Sequence, residues 1–181
     1  MAAQVNKLAP WRLAGIIATL LAGFLLHFLF SSTGQPKWIA WFVPVNESVW
    51  EHLKLGYWSV VLFSLVEYPR LKPHVNNYFL ARFVGIVLFE VTILVIFYGY
   101  TTFTGKNIVS IDIASYLVGA VVCQYVTHAM FRLEPTSGLL NQTGLALFLA
   151  LGILFAVTTW HPPHHPLFED KNTHSYGLPL R

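Results

Sequence analysis

The chain has 181 residues, of which 55% are hydrophobic and only 10% charged, against roughly 25% charged residues in an average soluble domain. This composition is that of a membrane protein and excludes an ordinary soluble globular domain. The net charge of +3 is small and no basic patch is present, so we expect no nucleic-acid partner. The single cysteine, Cys123, excludes an intrachain disulfide and a cysteine-based metal cluster.

Five apolar stretches are each long enough to cross a bilayer, which needs about 20 residues of helix. We predict spans at residues 12–31, 46–69, 79–100, 108–132 and 138–160, followed by a polar tail at 161–181. The first stretch is longer than the apolar core of a signal peptide, and four more follow, so we interpret it as a permanent span. The predicted fold class is an all-α polytopic membrane helix bundle, with one transmembrane domain over residues 1–181.

The second span is the least obvious of the five, because its apolar part covers only residues 55–66. It reaches spanning length if its helix begins near residues 46–48. Ser48 and Glu51 fit the S-x-x-E capping box, in which the two side chains bond free backbone amides at a helix start.

The basic residues predict the orientation of the bundle, because short inner connections are richer in Lys and Arg. With the N-terminus inside, the inner side holds Lys7, Arg12, Arg70, Lys72, Arg82 and Arg132, and the outer connections hold Lys37, Lys54 and Lys106. This bias favours an inside N-terminus and an outside C-terminus in a plasma or inner membrane. At the inner end, Glu67 and Arg70 are expected to form a local surface ion pair that contributes little.

Carboxylates and a histidine gather at the outer start of the second span. Glu47 and Glu51 are four residues apart, so we expect them on one helical face with His52 beside them. Two such carboxylates repel unless a cation, a proton or a basic side chain lies between them, and Lys54 is a near partner. The alternative is that Glu51 only caps the helix and Glu47 is only solvated.

The tail is rich in histidine and proline. His161, His164 and His165 follow the last span, and Asp170 comes a few residues later. Imidazole is the commonest neutral metal ligand, so these four residues and His52 are the candidate ligands of a divalent metal ion, with zinc the first choice. Their spacing matches no defined motif, and histidine-rich tails also bind metals weakly without a function.

Three further ionisable residues within the predicted spans are candidates, because such a group in a span indicates function by default. Glu90 lies near the middle of the third span, His27 toward the outer end of the first, and Asp112 at the start of the fourth. We take Glu90 and Asp112, with Glu47 and Glu51, as candidate catalytic groups. The alternative for Glu90 is a polar clamp between helices, for example with Gln124.

Two segments resemble a family of small bacterial multi-pass membrane proteins of unknown function. They are the N-E-S-V-W-E-H run at residues 46–52 and the P-P-H-H-P-L-F-E-D run at residues 162–170. The resemblance extends over nearly the whole chain and implies no activity. It implies that the two segments belong together, and both lie on the outer face of the predicted topology.

These observations leave three functions open. The first is a metal-dependent enzyme that acts on a lipid or another amphiphile, with the histidines as ligands and Glu47 or Glu51 as ligand or base. The second is a small proton-coupled transporter that uses Glu90, His27 and Asp112 as a relay. The third is a non-enzymatic membrane protein whose tail binds a metal or a partner. We place the enzyme slightly ahead of the transporter.

Overall fold

The computed structural model describes residues 2–178, and the side chains of residues 8–178. The described chain forms five long helices: α1 (Ala2–Ser32), α2 (Val49–Leu71), α3 (Tyr78–Thr104), α4 (Val109–Met130) and α5 (Gly138–Trp160). Short 3-10 helices lie at Lys37–Trp41 and Lys72–His74. The only β pairing in this part of the chain is an isolated bridge between Glu169 and Tyr176. The predicted all-helical fold is confirmed.

Four of the described helices are long and apolar enough to cross a membrane. These are Leu8–Ser32 within α1, Tyr78–Thr104, Val109–Met130 and Gly138–Trp160. They expose large apolar side chains, such as Phe24, Val95 and Ile153, each about two-thirds accessible. Such a surface is unfavourable in water and suits hydrocarbon, so the four helices fit a multi-pass membrane protein.

Helix α2 is not among these four apolar helices. Its start also differs from the predicted one. It begins at Val49, and the Ser48 hydroxyl accepts a hydrogen bond of 3.2 Å from the Glu51 amide. This is one half of the predicted capping box. The other half is absent, because the Ser48 amide donates to Asn46 Oδ1 and not to the Glu51 side chain. Because Glu47 precedes the helix, the prediction that Glu47 and Glu51 share one helical face is wrong.

Two buried contacts, a hydrogen bond and an ion pair, show that α2 runs along the bundle from one end to the other. Near its start, Lys54 donates to the hydroxyl of Thr159 in the last turn of α5 at 2.8 Å. Near its end, Glu67 pairs with Arg82 in the second turn of α3. Lys54 and Glu67 are 13 residues apart, which corresponds to about 20 Å along a helix.

Glycine lets α5 approach α3 closely. A Cβ atom on Gly144 would lie 2.5 Å from the backbone of Leu80. A side chain can rotate away from such a clash, but a helix backbone cannot. Close contact through small residues is how membrane helices gain packing where the hydrophobic effect between them is weak.

The predicted surface ion pair between Glu67 and Arg70 is wrong. Arg70 donates to the Val66 carbonyl at 2.8 Å instead. Glu67 is fully buried, where it pairs with Arg82 and accepts a hydrogen bond of 2.9 Å from the Tyr78 hydroxyl. The true partners lie 11 and 15 residues further along the chain, in the next helix, where local spacing gives no signal.

Candidate functional site

Three side chains with metal-binding chemistry meet at one end of the bundle. His27 lies near the end of α1, Glu47 in the connection before α2, and His52 in the first turn of α2. One ligand atom of each lies within 4.8 Å of the other two. No other such group of three or more His, Cys, Asp or Glu residues occurs among the residues that the structure describes. We call these three residues the His/Glu cluster.

The hydrogen bonding of His52 fixes which of its nitrogens is free. Its Nδ1 is 2.8 Å from the Ser48 carbonyl oxygen. A carbonyl only accepts, so Nδ1 carries the hydrogen and the neutral ring has its lone pair on Nε2. Metal-binding histidines commonly make this bond from their second nitrogen to a backbone carbonyl, which holds the ring in position.

The free Nε2 of His52 lies 3.5 Å from Glu47 Oε2. Two acceptors at this distance need a cation or a hydrogen between them. Zinc bonds to nitrogen and oxygen at about 2.0–2.2 Å in tetrahedral geometry, which places neighbouring ligand atoms about 3.3–3.5 Å apart. The observed separation is therefore close to that of two ligands on one zinc ion.

His27 is the third member of the His/Glu cluster, and the cluster is partly exposed. Its ring centroid is 5.3 Å from that of His52. Within the described chain its Nδ1 is buried and has no hydrogen-bond partner. The side chains of His52 and Glu47 are 36% and 47% exposed, so a bound ion would keep a position accessible to water or substrate.

Asp170 holds the backbone of Glu47 from the tail. Its Oδ2 accepts from the Glu47 amide at 3.0 Å, and its Oδ1 accepts from the amides of Asn172 and Thr173 at 2.7 and 2.9 Å. Burial alone would raise the pKa of Asp170, but these three amide donors hold its pKa below the ordinary value. Asp170 is thus a charged positioning residue, and it is not within the His/Glu cluster.

The two segments that carry the family resemblance lie against each other. The Asn46 side chain donates to the Gly177 carbonyl at 2.9 Å, and the Trp50 amide donates to the Leu167 carbonyl at 3.0 Å. The ring of Trp50 packs on that of Phe168, with centroids 4.8 Å apart. The tail therefore folds back over the start of α2 and orders the segment that carries Glu47.

Glu51 lies apart from the His/Glu cluster in a buried ion pair. Its Oε2 is 2.6 Å from Lys54 Nζ and accepts from the Val45 amide at 3.1 Å. Its Oε1 accepts from the Thr159 hydroxyl at 2.7 Å. Lys54, with no exposed surface, also donates to the Ala40 carbonyl at 2.9 Å. The pair joins α2, α5 and the connection at residues 40–45.

Asp112 and Glu90 are not part of the His/Glu cluster. Asp112 accepts from the Tyr100 hydroxyl at 2.7 Å. Glu90 is buried in the middle of α3, and neither of its carboxyl oxygens has a hydrogen-bond partner in the part of the chain described. Its predicted partner Gln124 accepts instead from Arg82, at 3.1 Å.

The tail histidines are not brought together with His52. His161, His164 and His165 instead contact Val157, Tyr176 and Leu167, respectively. Sequence reasoning predicted Glu47 and His52 as site residues but assigned His27 to a relay. The available signal was that His27 lies near the end of the first span and His52 near the start of the second, because two helix ends joined by one connection lie on the same side of a membrane and can meet.

This fold and this site define a helical bundle with four membrane-type spans and a histidine–glutamate cluster at one end. The chain matches a family of unknown function, DUF6512, over residues 1–178, and it belongs to that family. The predicted resemblance to an uncharacterised family is confirmed. No curated protein and no solved structure matches the chain. The function must therefore be argued from the site itself.

Proposed function

We propose that this protein is a membrane-embedded metalloprotein that binds a divalent ion, zinc above all, through His27, Glu47 and His52. We further propose that the ion serves an enzyme acting on a lipid or another amphiphile. The observation that carries the proposal is the convergence of three ligand atoms within 4.8 Å. The position of His52 supports it, because its Nδ1 is held by the Ser48 carbonyl while its Nε2 lies 3.5 Å from the Glu47 carboxylate.

The proposal includes α2 as a fifth span, with the N-terminus inside and the C-terminus outside. Support comes from two buried contacts: Lys54, near the start of α2, donates to Thr159 in the last turn of α5, and Glu67, near the end of α2, pairs with Arg82 in the second turn of α3. The bias of Lys and Arg supports the orientation. The His/Glu cluster and the tail then lie at the outer face of the plasma or inner membrane.

The chemistry follows from the number of ligands. Three protein ligands leave a fourth position for water, as in catalytic zinc sites, whereas structural sites are closed by four. Zinc supplies an activated water at neutral pH and polarises a carbonyl or phosphoryl oxygen. The aromatic side chains of Trp38, Trp41 and Phe42 are exposed at residues 37–42. Such aromatic residues favour the headgroup depth of a bilayer, where an amphiphile presents its polar bonds.

The test is the metal content of untagged, detergent-purified protein after mild chelation, measured by inductively coupled plasma mass spectrometry. We expect one zinc ion per chain in the wild type and its loss in His27→Ala and in His52→Ala. The matched control is the tail variant His164→Ala/His165→Ala, which should keep the metal. No metal in the wild type, or loss only in the tail variant, would contradict the proposal. Bound zinc without lipid hydrolysis would favour a non-enzymatic metal-binding protein.

The buried carboxyl of Glu90 favours a second candidate function, a small proton-coupled carrier. Placing an ionisable group within a membrane span costs free energy, so such a group usually marks a transport or proton path. Glu90 has no hydrogen-bond partner among the described residues, which supports this role over that of a clamp between helices. A Cβ atom on Gly56 of α2 would lie 3.3 Å from its Oε1, which places the carboxyl between α3 and α2.

A further inference from the structure

A second polar cluster lies in the bundle, at the end opposite to the His/Glu cluster. Its members are Glu67, Arg82, Gln124 and His128, each no more than 1% exposed. Arg82 pairs with Glu67 and donates to Gln124 Oε1 at 3.1 Å. The His128 Nδ1 lies 2.8 Å from the Gln124 carbonyl oxygen. We call this group the buried cluster, and the proposed metal site uses none of it.

The hydrogen bond of His128 determines the role of its other nitrogen. Because the Gln124 carbonyl only accepts, Nδ1 donates, and in the neutral ring Nε2 is an acceptor. Its neighbour is Glu67 Oε1 at 3.7 Å, also an acceptor. The charge of Glu67 is already balanced by Arg82, so a neutral His128 leaves the buried cluster without net charge.

Two buried acceptors that face each other without a donor are unfavourable, because both lose the hydrogen bonds they would make to water. Within the described residues, neither His128 Nε2 nor Glu67 Oε1 has a partner. The same holds for two buried donors of this cluster, Arg82 Nε and Gln124 Nε2. The unsatisfied atoms are thus two acceptors and two donors on four side chains that are already linked.

We propose that the buried cluster binds a water molecule between Glu67 Oε1 and His128 Nε2. A separation of 3.7 Å is too long for a direct bond but lets one water reach both atoms at about 2.8 Å. The water donates one hydrogen to each acceptor and accepts one from Arg82 Nε or Gln124 Nε2. Three such bonds are typical of a buried water that satisfies polar groups in a protein interior.

Charge and ligand number select water over a metal ion at this position. The cluster offers two free acceptors, whereas a zinc site needs at least three protein ligands. A cation would also lie beside the guanidinium of Arg82. Bound water instead joins Glu67 of α2 to His128 of α4. Together with the direct ion pair between Glu67 and Arg82 of α3, it ties three helices together at this end of the bundle.

The test is hydroxyl-radical footprinting of the full chain in detergent by pulsed X-ray radiolysis, read by mass spectrometry. Radiolysis splits a bound water where it lies, so adjacent side chains are labelled even when they are buried. The Tyr78 hydroxyl lies 2.9 Å from Glu67 Oε2, and the ring centroid of Phe131 lies 5.2 Å from that of His128. We expect both to be oxidised several-fold faster than Phe155, which is also buried but lies toward the other end of the bundle. Equal rates at all three would overturn the proposal.

The variant His128→Gln makes the test specific. Its side-chain amide can donate directly to Glu67 and so remove the need for water. We expect oxidation of Tyr78 and Phe131 to fall to the rate of Phe155, with that of the exposed Trp38 unchanged. The matched control is His164→Gln in the tail, which should leave all rates as in the wild type. Unchanged labelling of Tyr78 in His128→Gln would overturn the assignment of the water to this position.

Discussion

Replacement of Lys54 by methionine is the sharpest test of the packing that supports the site. Methionine keeps the apolar part of the Lys54 side chain and removes the charged ammonium group. Lys54 Nζ is 2.6 Å from Glu51 Oε2, 2.8 Å from Thr159 Oγ1 and 2.9 Å from the Ala40 carbonyl. In Lys54→Met, Glu51 remains as a carboxylate that is only 2% exposed and has no countercharge in this ion pair.

The expected cost follows from these contacts. Removal of one partner of a buried ion pair costs about 3–5 kcal/mol, because an uncompensated charge is left behind. Replacing Glu51 as well, in Glu51→Gln/Lys54→Met, removes that charge. We therefore expect the double variant to be less destabilised than the sum of the single variants, with a coupling free energy of about 2–3 kcal/mol.

The assay is equilibrium unfolding in detergent by a chemical denaturant, for the wild type, both single variants and the double variant. The matched control is Lys106→Met, in the α3–α4 connection, where a surface change alters the free energy of unfolding by about 0.5 kcal/mol or less. A Lys54→Met effect no larger than this control would refute the reasoning. So would strictly additive single-variant effects.

Two further predictions concern Asp170 and Glu90. The pKa of Asp170 is lowered in the folded chain, so its charge stabilises the fold above its unfolded pKa of about 3.9, and this contribution is lost as pH falls through the lower folded pKa. Asp170→Asn should thus unfold more easily than the wild type at pH 7, with a gap that narrows in acid; an unchanged gap at pH 3 would show that the charge is irrelevant. The carrier proposal expects Glu90→Gln, which keeps the shape but cannot titrate, to lose proton flux in proteoliposomes while keeping its bound zinc. Equal flux in wild type and variant would exclude Glu90 as the proton carrier.

The helices themselves were largely predictable from the sequence. The prediction of 138–160 coincides with α5 (Gly138–Trp160), and that of 79–100 falls within α3 (Tyr78–Thr104). A bilayer demands long uninterrupted apolar runs, which makes this signal strong and local. The start of α2 was harder, because its cap and its buried charges interrupt the apolar pattern. Ser48 supplied the correct boundary, although we placed Glu47 inside the helix.

The site was predictable only in part, because its residues meet through the fold. Glu47 and His52 stood out by their chemistry, but His27 is 25 residues from His52, and no spacing rule joins them. Asp170 was predicted as a metal ligand, but in the structure its oxygens accept hydrogen bonds from three backbone amides. The density of histidines in the tail gave a strong compositional signal but no information on where the tail folds.

The hydrogen bond between the Glu47 amide and Asp170 has a consequence for the order in which the protein is made and folds. The two residues are separated by 123 positions, so a ribosome needs about 6–25 s to pass from one to the other at 5–20 residues per second. Glu47 leaves the ribosome and the insertion machinery long before the residue that orders it exists. The order at this end of the bundle is therefore reached late, only after the tail that follows α5 has been synthesised.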